Sequence, residues 1–204
     1  MEAMSVAALL AAVACFAGTQ GSNQLVTVQA PPGSTYASLS LWTRDGACWR
    51  RVAGPWQARL GRSGLSTHKR EGDGATPAGT FPIGGTAYGL RPDPGVRLRY
   101  HRLTCGDWWV SSPSAPDYNR FRHVTCGRQL AASEALWTIS PQYRYLAVID
   151  YNTRPTLAGQ GSAIFLHVAV GATAGCVALP EPRLLHVLRW LRPDAHPLIR
   201  LGIT

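Results

Sequence analysis

A histidine and a cysteine stand nine positions apart in the stretch Gly161 to Glu181: His167 lies within an apolar, β-branched run and Cys176 directly follows a glycine. Those two residue types are the parts of a nucleophile and its base, because a thiol attacks carbonyls as thiolate and an imidazole can take its proton. Ser162 to Val168 reads as a buried strand carrying His167, and Gly171 and Gly175 bracket a tight return to Cys176. Glycine at 175 admits backbone geometry closed to most residues, so main-chain N–H groups beside Gly175 and Cys176 can approach a substrate carbonyl as an oxyanion site. A lone pair of this kind is more often ordinary core than a catalytic dyad, since free cysteine is among the most buried residue types. A second signal is needed.

It lies about a hundred residues upstream, in Lys69 to Ile83 (KREGDGATPAGTFPI). By composition this is a polar turn running into a short strand, punctuated by Gly72, Gly74, Pro77 and Gly79, with Phe81 and Ile83 on one face. Together, and in this order, the two segments resemble the L,D-transpeptidase catalytic domain, the YkuD-like family. There a lysine-led run ending T-P-x-G-x-F-x-I precedes a catalytic H…G-C-[IV] segment. The resemblance covers roughly Leu60 to Thr204 and is nearest to a branch found in secreted actinobacterial proteins. That branch also carries the runs seen here at Tyr100 to Trp109 and Val148 to Asn152.

The resemblance implies a β-sandwich catalytic domain, with Cys176 as nucleophile, His167 as base and Gly175 in the oxyanion turn. The substrate would be peptidoglycan: a tetrapeptide stem is cleaved before its terminal D-alanine, and an amine on a second stem or water resolves the thioester. The products are 3-3 crosslinks or, with water, L,D-carboxypeptidase action. Carbapenems would acylate the same thiol, and no cofactor or metal takes part. Tyr88 matches a substrate-facing position in similar proteins, and Tyr151, Asn152 and Thr173 join it as candidate substrate-binding residues. The chain departs from the common S-H-G-C-[IV]-R pattern: Ala174 and Ala178 stand where a second histidine and an arginine are usual. Two other readings follow: a catalytically weak wall-binding protein, or a cysteine peptidase, amidase or acyltransferase working on another acyl donor.

The elements expected around these residues are mainly β, with one C-terminal helix. Short β-branched or aromatic runs at Leu25 to Gln29, Ala37 to Trp42, Trp49 to Val52, Gly79 to Ile83, Val96 to Arg102, Tyr145 to Tyr151, Ala163 to Val168 and Leu198 to Leu201 read as strands. Leu184, Val187, Leu188 and Leu191 recur at helical spacing over Glu181 to Leu191, which Pro193 ends. Ser133 to Trp137 is expected to form a helical turn.

At 204 residues and 46% hydrophobic content the chain can bury one sizeable core, and a single catalytic domain over residues 21–204 is expected. The net charge of +9 favours a polyanionic partner. The basic residues are almost all dispersed arginines with no helix-turn-helix, zinc-finger or RNP pattern, which argues against nucleic acid and for an acidic cell wall. The six histidines lack zinc-ligand spacing, and a monomer is expected. Met4 to Gly18 is small and apolar and reads as a signal peptide within residues 1–20, with Ala12-Val13-Ala14 as a cleavage site; lipid attachment at Cys15 is the lesser alternative.

Five cysteines sharpen the compartment. Cys105 and Cys126 both precede glycine and flank a polar, proline-rich loop that cannot pack itself, so a disulfide between them is expected, worth about 3 kcal/mol and requiring an oxidising compartment. If Cys15 leaves with the leader or is modified, four cysteines remain, and Cys48 is expected to be a buried thiol. His101 and His123 flank the bridged cysteines and are expected to be surface or loop residues.

Overall fold

Leu25, Val26 and Val28 are fully buried, and the β-branched run they belong to forms a central strand of the structure, a computed structural model that describes residues 12–204. In chain order the first strands are β1 (Val13–Ala14), β2 (Gln24–Ala30), β3 (Tyr36–Asp45), β4 (Cys48–Arg59), β5 (Leu65–Ser66), β6 (Thr76–Pro77), β7 (Gly79–Gly89) and β8 (Arg99–Arg102). A small sheet of β9 (Asp107–Val110), β10 (Phe121–His123) and β11 (Ser133–Ala135) follows. The chain then returns through β12 (Leu146–Ile149), β13 (Phe165–Val168), β14 (Val177–Leu179), the helix α1 (Glu181–Trp190) and β15 (Leu198–Ile203).

The main sheet has 10 strands, in the order β1-β4-β14-β13-β12-β7-β15-β2-β3, with β8 beside β7. β3 also pairs with β4, so the sheet closes on itself and its two layers enclose a core that includes Leu39, Ile149, Leu166, Val177 and Ile199. This is the mainly-β sandwich expected. β12 and β13 are buried along their whole length, which explains why they read as unbroken apolar runs rather than alternating ones. α1 packs on β13 and β14 through Leu184, Val187 and Leu188, with Pro182 in its first turn, where a missing N–H costs nothing.

β13 and β14 run parallel, with Leu166 level with Val177 and His167 level with Ala178. The return between them is therefore a crossing loop and not a hairpin. It brings Cys176 level with Phe165, two residues short of His167 along the strand direction, which is about 6–7 Å. Residues level with one another in a sheet share a face, so Cys176 and His167 project to the same side.

The small sheet β10-β9-β11 lies over that side as a flap. Its Trp109 packs edge-on against Phe165, with ring centroids 4.9 Å apart. A disulfide joins Cys105 to Cys126 at its edge, with Cα atoms 5.1 Å apart. Between the bridged residues, Asp107 is fully buried and holds both neighbouring histidines: Oδ2 meets His101 Nε2 at 2.9 Å and Oδ1 meets His123 Nδ1 at 2.6 Å. The expected helical turn at 133–137 is instead β11 followed by a 3-10 turn at Leu136–Thr138, because Ser133, Glu134 and Ala135 pair with Val110, Trp109 and Trp108.

Cys48 is not the free thiol expected. β1 lies antiparallel to β4, with Val13 opposite Arg50 and Ala14 opposite Trp49, and this brings the Cα atoms of Cys15 and Cys48 to 4.3 Å and bridges their sulfurs. Cys15 thus belongs to the folded domain, and a sulfur in a disulfide cannot carry a lipid. Of the expected leader, residues 1–11 lie outside the described residues; beyond them Phe16 packs edge-on to Trp42 at 5.2 Å and Thr19 is buried. Cleavage after Ala14 would leave the bridge in place.

The sequence separations of 33 and 21 residues imply about 3–4 kcal/mol of stabilisation from each bridge through restriction of the unfolded chain. Peptide mapping without reduction is expected to find Cys15 linked to Cys48 and Cys105 to Cys126. Cys48→Ser is expected to lower the free energy of chemical unfolding by about 3 kcal/mol; a loss well under 1 kcal/mol would contradict the account.

Candidate active site

The turn that carries Cys176 is held by hydroxyl groups. Thr173 Oγ1 donates to the Cys176 carbonyl at 2.7 Å and accepts the Gly175 N–H at 3.1 Å. Thr76, fully buried in the Thr-Pro step of the upstream segment, donates to the same carbonyl at 3.3 Å while its Oγ1 accepts the Gly61 N–H at 2.8 Å. The Thr173 backbone is fixed in turn by its N–H to Leu60 O at 2.8 Å and by Arg62 N–H to its carbonyl at 2.9 Å. Gly175 adopts φ +149°, and a Cβ there would lie 2.9 Å from Ala75 O, so only glycine fits between the two segments. The two stretches that carry chemistry in the sequence are thus one physical unit.

Cys176 is 7% exposed. Its thiol donates to Ala163 O at 3.2 Å, and its sulfur accepts the Phe165 N–H at 3.3 Å. Ala163 sits at φ +54°, a costly conformation for a residue with a Cβ, and its carbonyl meets the Cys176 thiol. Burial pushes the thiol pKa up to about 12, the negative charge of Glu134 adds to the rise, and the Phe165 N–H and Lys69 oppose it. At neutral pH the group is a thiol.

His167 is 5% exposed, and its Nδ1 lies 3.0 Å from Val168 O. A carbonyl only accepts, so Nδ1 carries the proton of the neutral ring and the Nε2 lone pair is left for proton transfer. Burial lowers the His167 pKa, with the Val168 carbonyl pulling weakly the other way. Tyr143 packs edge-on to the imidazole, with centroids 5.7 Å apart. The two groups therefore rest as neutral thiol and neutral imidazole. They face one cavity of about 540 Å³ without a direct hydrogen bond, as the two-residue stagger of β13 and β14 requires.

Charged groups ring that cavity. Lys69, the chain's only lysine, is 5% exposed; its Nζ pairs with Asp73 Oδ1 at 2.6 Å and donates to Arg70 O at 2.6 Å. Burial raises the Asp73 pKa, but Lys69 and the N–H groups of Arg70 and Ala75 outweigh it and hold the carboxyl below its usual range. Glu71 accepts from the Tyr118 hydroxyl, and Glu134 Oε2 accepts from the Tyr143 hydroxyl at 2.7 Å. Ala178 stands level with His167, so the site has no cation where the common motif carries arginine.

The other sequence candidates fall elsewhere. Tyr88 lines a separate groove of about 350 Å³ with Asp150 and Phe121, and packs edge-on to His101 at 5.6 Å. Tyr151 donates its hydroxyl to Gln160 O at 2.6 Å and packs against Phe81. Asn152, at φ +52°, donates from Nδ2 to Leu157 O and Gly161 O, both at 2.9 Å, and so shapes the loop before β13. Of the four candidate substrate-binding residues, only Thr173 lines the cavity with Cys176. Glu134, Tyr143 and Ser162 also line it and carry no local motif; Thr76 could have been found, since it sits in the Thr-Pro step of the upstream segment.

No curated protein matches the chain. Two crystal structures of the helical cell shape determining protein Pgp2 from Campylobacter jejuni, the native form and a point mutant, are similar at 13% identity each, with TM-scores of 0.41 and 0.45. Each alignment covers 89% of this chain and about half of that one (49% and 48%). The L,D-transpeptidase catalytic domain family, YkuD, matches residues 35–199, a span that contains the cysteine turn, the histidine strand and the threonine that joins them; the chain belongs to that family.

Proposed function

We propose that this domain is a cysteine acyltransferase of peptidoglycan stem peptides, forming 3-3 crosslinks with an amine or acting as L,D-carboxypeptidase with water. The observation that carries the reading is the buried, neutral Cys176–His167 pair facing one cavity beside a main-chain N–H without an acceptor among the described residues. That N–H belongs to Cys176; the Gly175 N–H is already taken by Thr173. It is therefore the Cys176 amide that would meet the oxyanion.

The chemistry begins with His167 Nε2 taking the thiol proton as Sγ bonds to the donor carbonyl carbon. The tetrahedral oxyanion collapses, the C–N bond to the terminal D-alanine breaks, and the imidazolium returns the proton to the leaving amine. A thioester remains. Because the resting thiol is neutral, the thiolate exists only while a carbonyl is within reach, and water-exposed electrophiles meet little of it. This differs from ready alkylation at neutral pH, which an exposed, ionised thiol would give. The two disulfides suit an oxidising compartment outside the cytoplasm, and the net charge of +9 suits an acidic wall.

Incubation with disaccharide tetrapeptide, followed by mass spectrometry, tests the reading: crosslinked dimer or tripeptide is expected, and unchanged substrate would contradict it. Cys176→Ala is expected to abolish turnover and to take no carbapenem adduct, with stability changed by under about 1 kcal/mol; activity near wild type would end the mechanism. His167→Gln is expected to slow carbapenem acylation by about 100-fold or more, with partial recovery at alkaline pH.

The acid limb is a separate check. Protonated imidazole cannot accept the thiol proton, and burial lowers the His167 pKa below its usual 6.5. Acylation is therefore expected to persist below pH 6.5 and to fall only on further acidification. A half-loss above 6.5 would show that another group controls that limb.

A further inference from the structure

Cys176 and His167 account for the forming and breaking of the thioester, yet the same cavity holds two acceptor groups that this chemistry leaves unused. Glu134 reaches the cavity from β11 on the flap; Oε2 accepts the Tyr143 hydroxyl at 2.7 Å, and Oε1 has no hydrogen bond among the described residues. Ser162 is 7% exposed, lines the cavity one residue before Ala163, and its Oγ makes no well-formed hydrogen bond among the described residues. The buried cation of the cavity, Lys69, is already matched by Asp73. Burial raises the Glu134 pKa, and the nearby charge of Glu71 raises it further, while the Tyr143 hydroxyl holds it back. Such a carboxylate takes a proton more readily than an exposed one.

Two free acceptors, one of them a carboxylate, next to a thiol whose pKa that carboxylate raises, call for a cationic ligand with several N–H donors. We propose that Glu134 and Ser162 form the subsite for the primary ammonium of the acceptor, and that the Glu134 carboxylate takes its first proton. The inference rests on the acyl-transfer reading above. Once a proton has moved from the ammonium to Glu134, the amine lone pair bonds to the thioester carbonyl carbon. His167 Nε2 takes the second nitrogen proton, the C–S bond breaks with its electron pair on Sγ, and the imidazolium protonates the thiolate. The products are an amide, a thiol and a protonated Glu134, which returns its proton to water. Water as the resolving nucleophile needs neither recognition of charge nor loss of that first proton. Glu134 therefore sets the ratio of crosslinking to hydrolysis.

The test follows disaccharide tetrapeptide by mass spectrometry with wild type, Glu134→Gln, Glu134→Asp and Ser162→Ala, reading the ratio of crosslinked dimer to tripeptide, together with the rate at which iodoacetamide alkylates Cys176. Glu134→Gln is expected to lower the ratio by about tenfold or more while alkylation becomes faster, because a charge that opposes the thiolate has gone. Glu134→Asp is expected to retain part of the ratio, and Ser162→Ala to lower it a few-fold. Disruption of the site would move ratio and alkylation down together, in Glu134→Asp as well, and that result overturns the assignment. So does an unchanged ratio in Glu134→Gln, or a wild type that yields tripeptide alone. A wild type that yields neither product and takes no carbapenem instead brings down the acyl-transfer reading itself.

Discussion

The carbonyl oxygen of Cys176 is the point on which the site depends. Two threonine hydroxyls, from residues 76 and 173, converge on it, and through them the upstream Thr-Pro segment and the glycine turn are locked into one piece. Each such buried bond is worth about 1 kcal/mol, and more is lost if one partner is removed and the other left unsatisfied. Their larger effect is geometric. They turn the Cys176 side chain inward, onto Ala163 O and Phe165 N, where burial keeps its thiol protonated. The parallel pairing of β13 and β14 then sets His167 on the same face, one stagger away.

The sequence made legible those parts of this arrangement that depend on local patterning. His167 on an apolar strand, the glycine before Cys176, the leucine stripe of α1 and the Cys105–Cys126 loop all lie where short-range spacing can show them. What it concealed are contacts between distant segments. Nothing near Glu134 or Tyr143 marks them, because their meaning comes from β11 pairing with β9 and from the chain returning at Tyr143 beside His167. Cys15 was read as part of an apolar leader, and the pairing of β1 with β4 that bridges it to Cys48 leaves no pattern in a two-residue strand. Tyr151 and Asn152, read as candidate substrate contacts at the end of a strand, make hydrogen bonds that shape the loop to Gly161, a role that local sequence does not mark.

The flap links stability to chemistry. Its disulfide, the buried Asp107 with its two histidines and the Trp109–Phe165 contact fix β9 over the Cys176 side of the sheet. β11 rides on β9 and carries Glu134 to the cavity rim. A loop of that length without the bridge would cost conformational entropy to hold in place. The oxidised pair thus supports the geometry of the site as well as the fold.

The central claim is that burial keeps the Cys176–His167 pair neutral at rest, so that the thiolate is made in the reaction and is not stored. The direct measurement is the ultraviolet absorbance of thiolate across a pH titration of the folded, disulfide-intact protein, taken as wild type minus Cys176→Ala. The account predicts no thiolate signal through neutral pH and onset only in the alkaline range, above the ordinary thiol value of 9.0. A thiolate step at or below neutral pH, lost in His167→Gln, would show a stored thiolate–imidazolium pair and would contradict it.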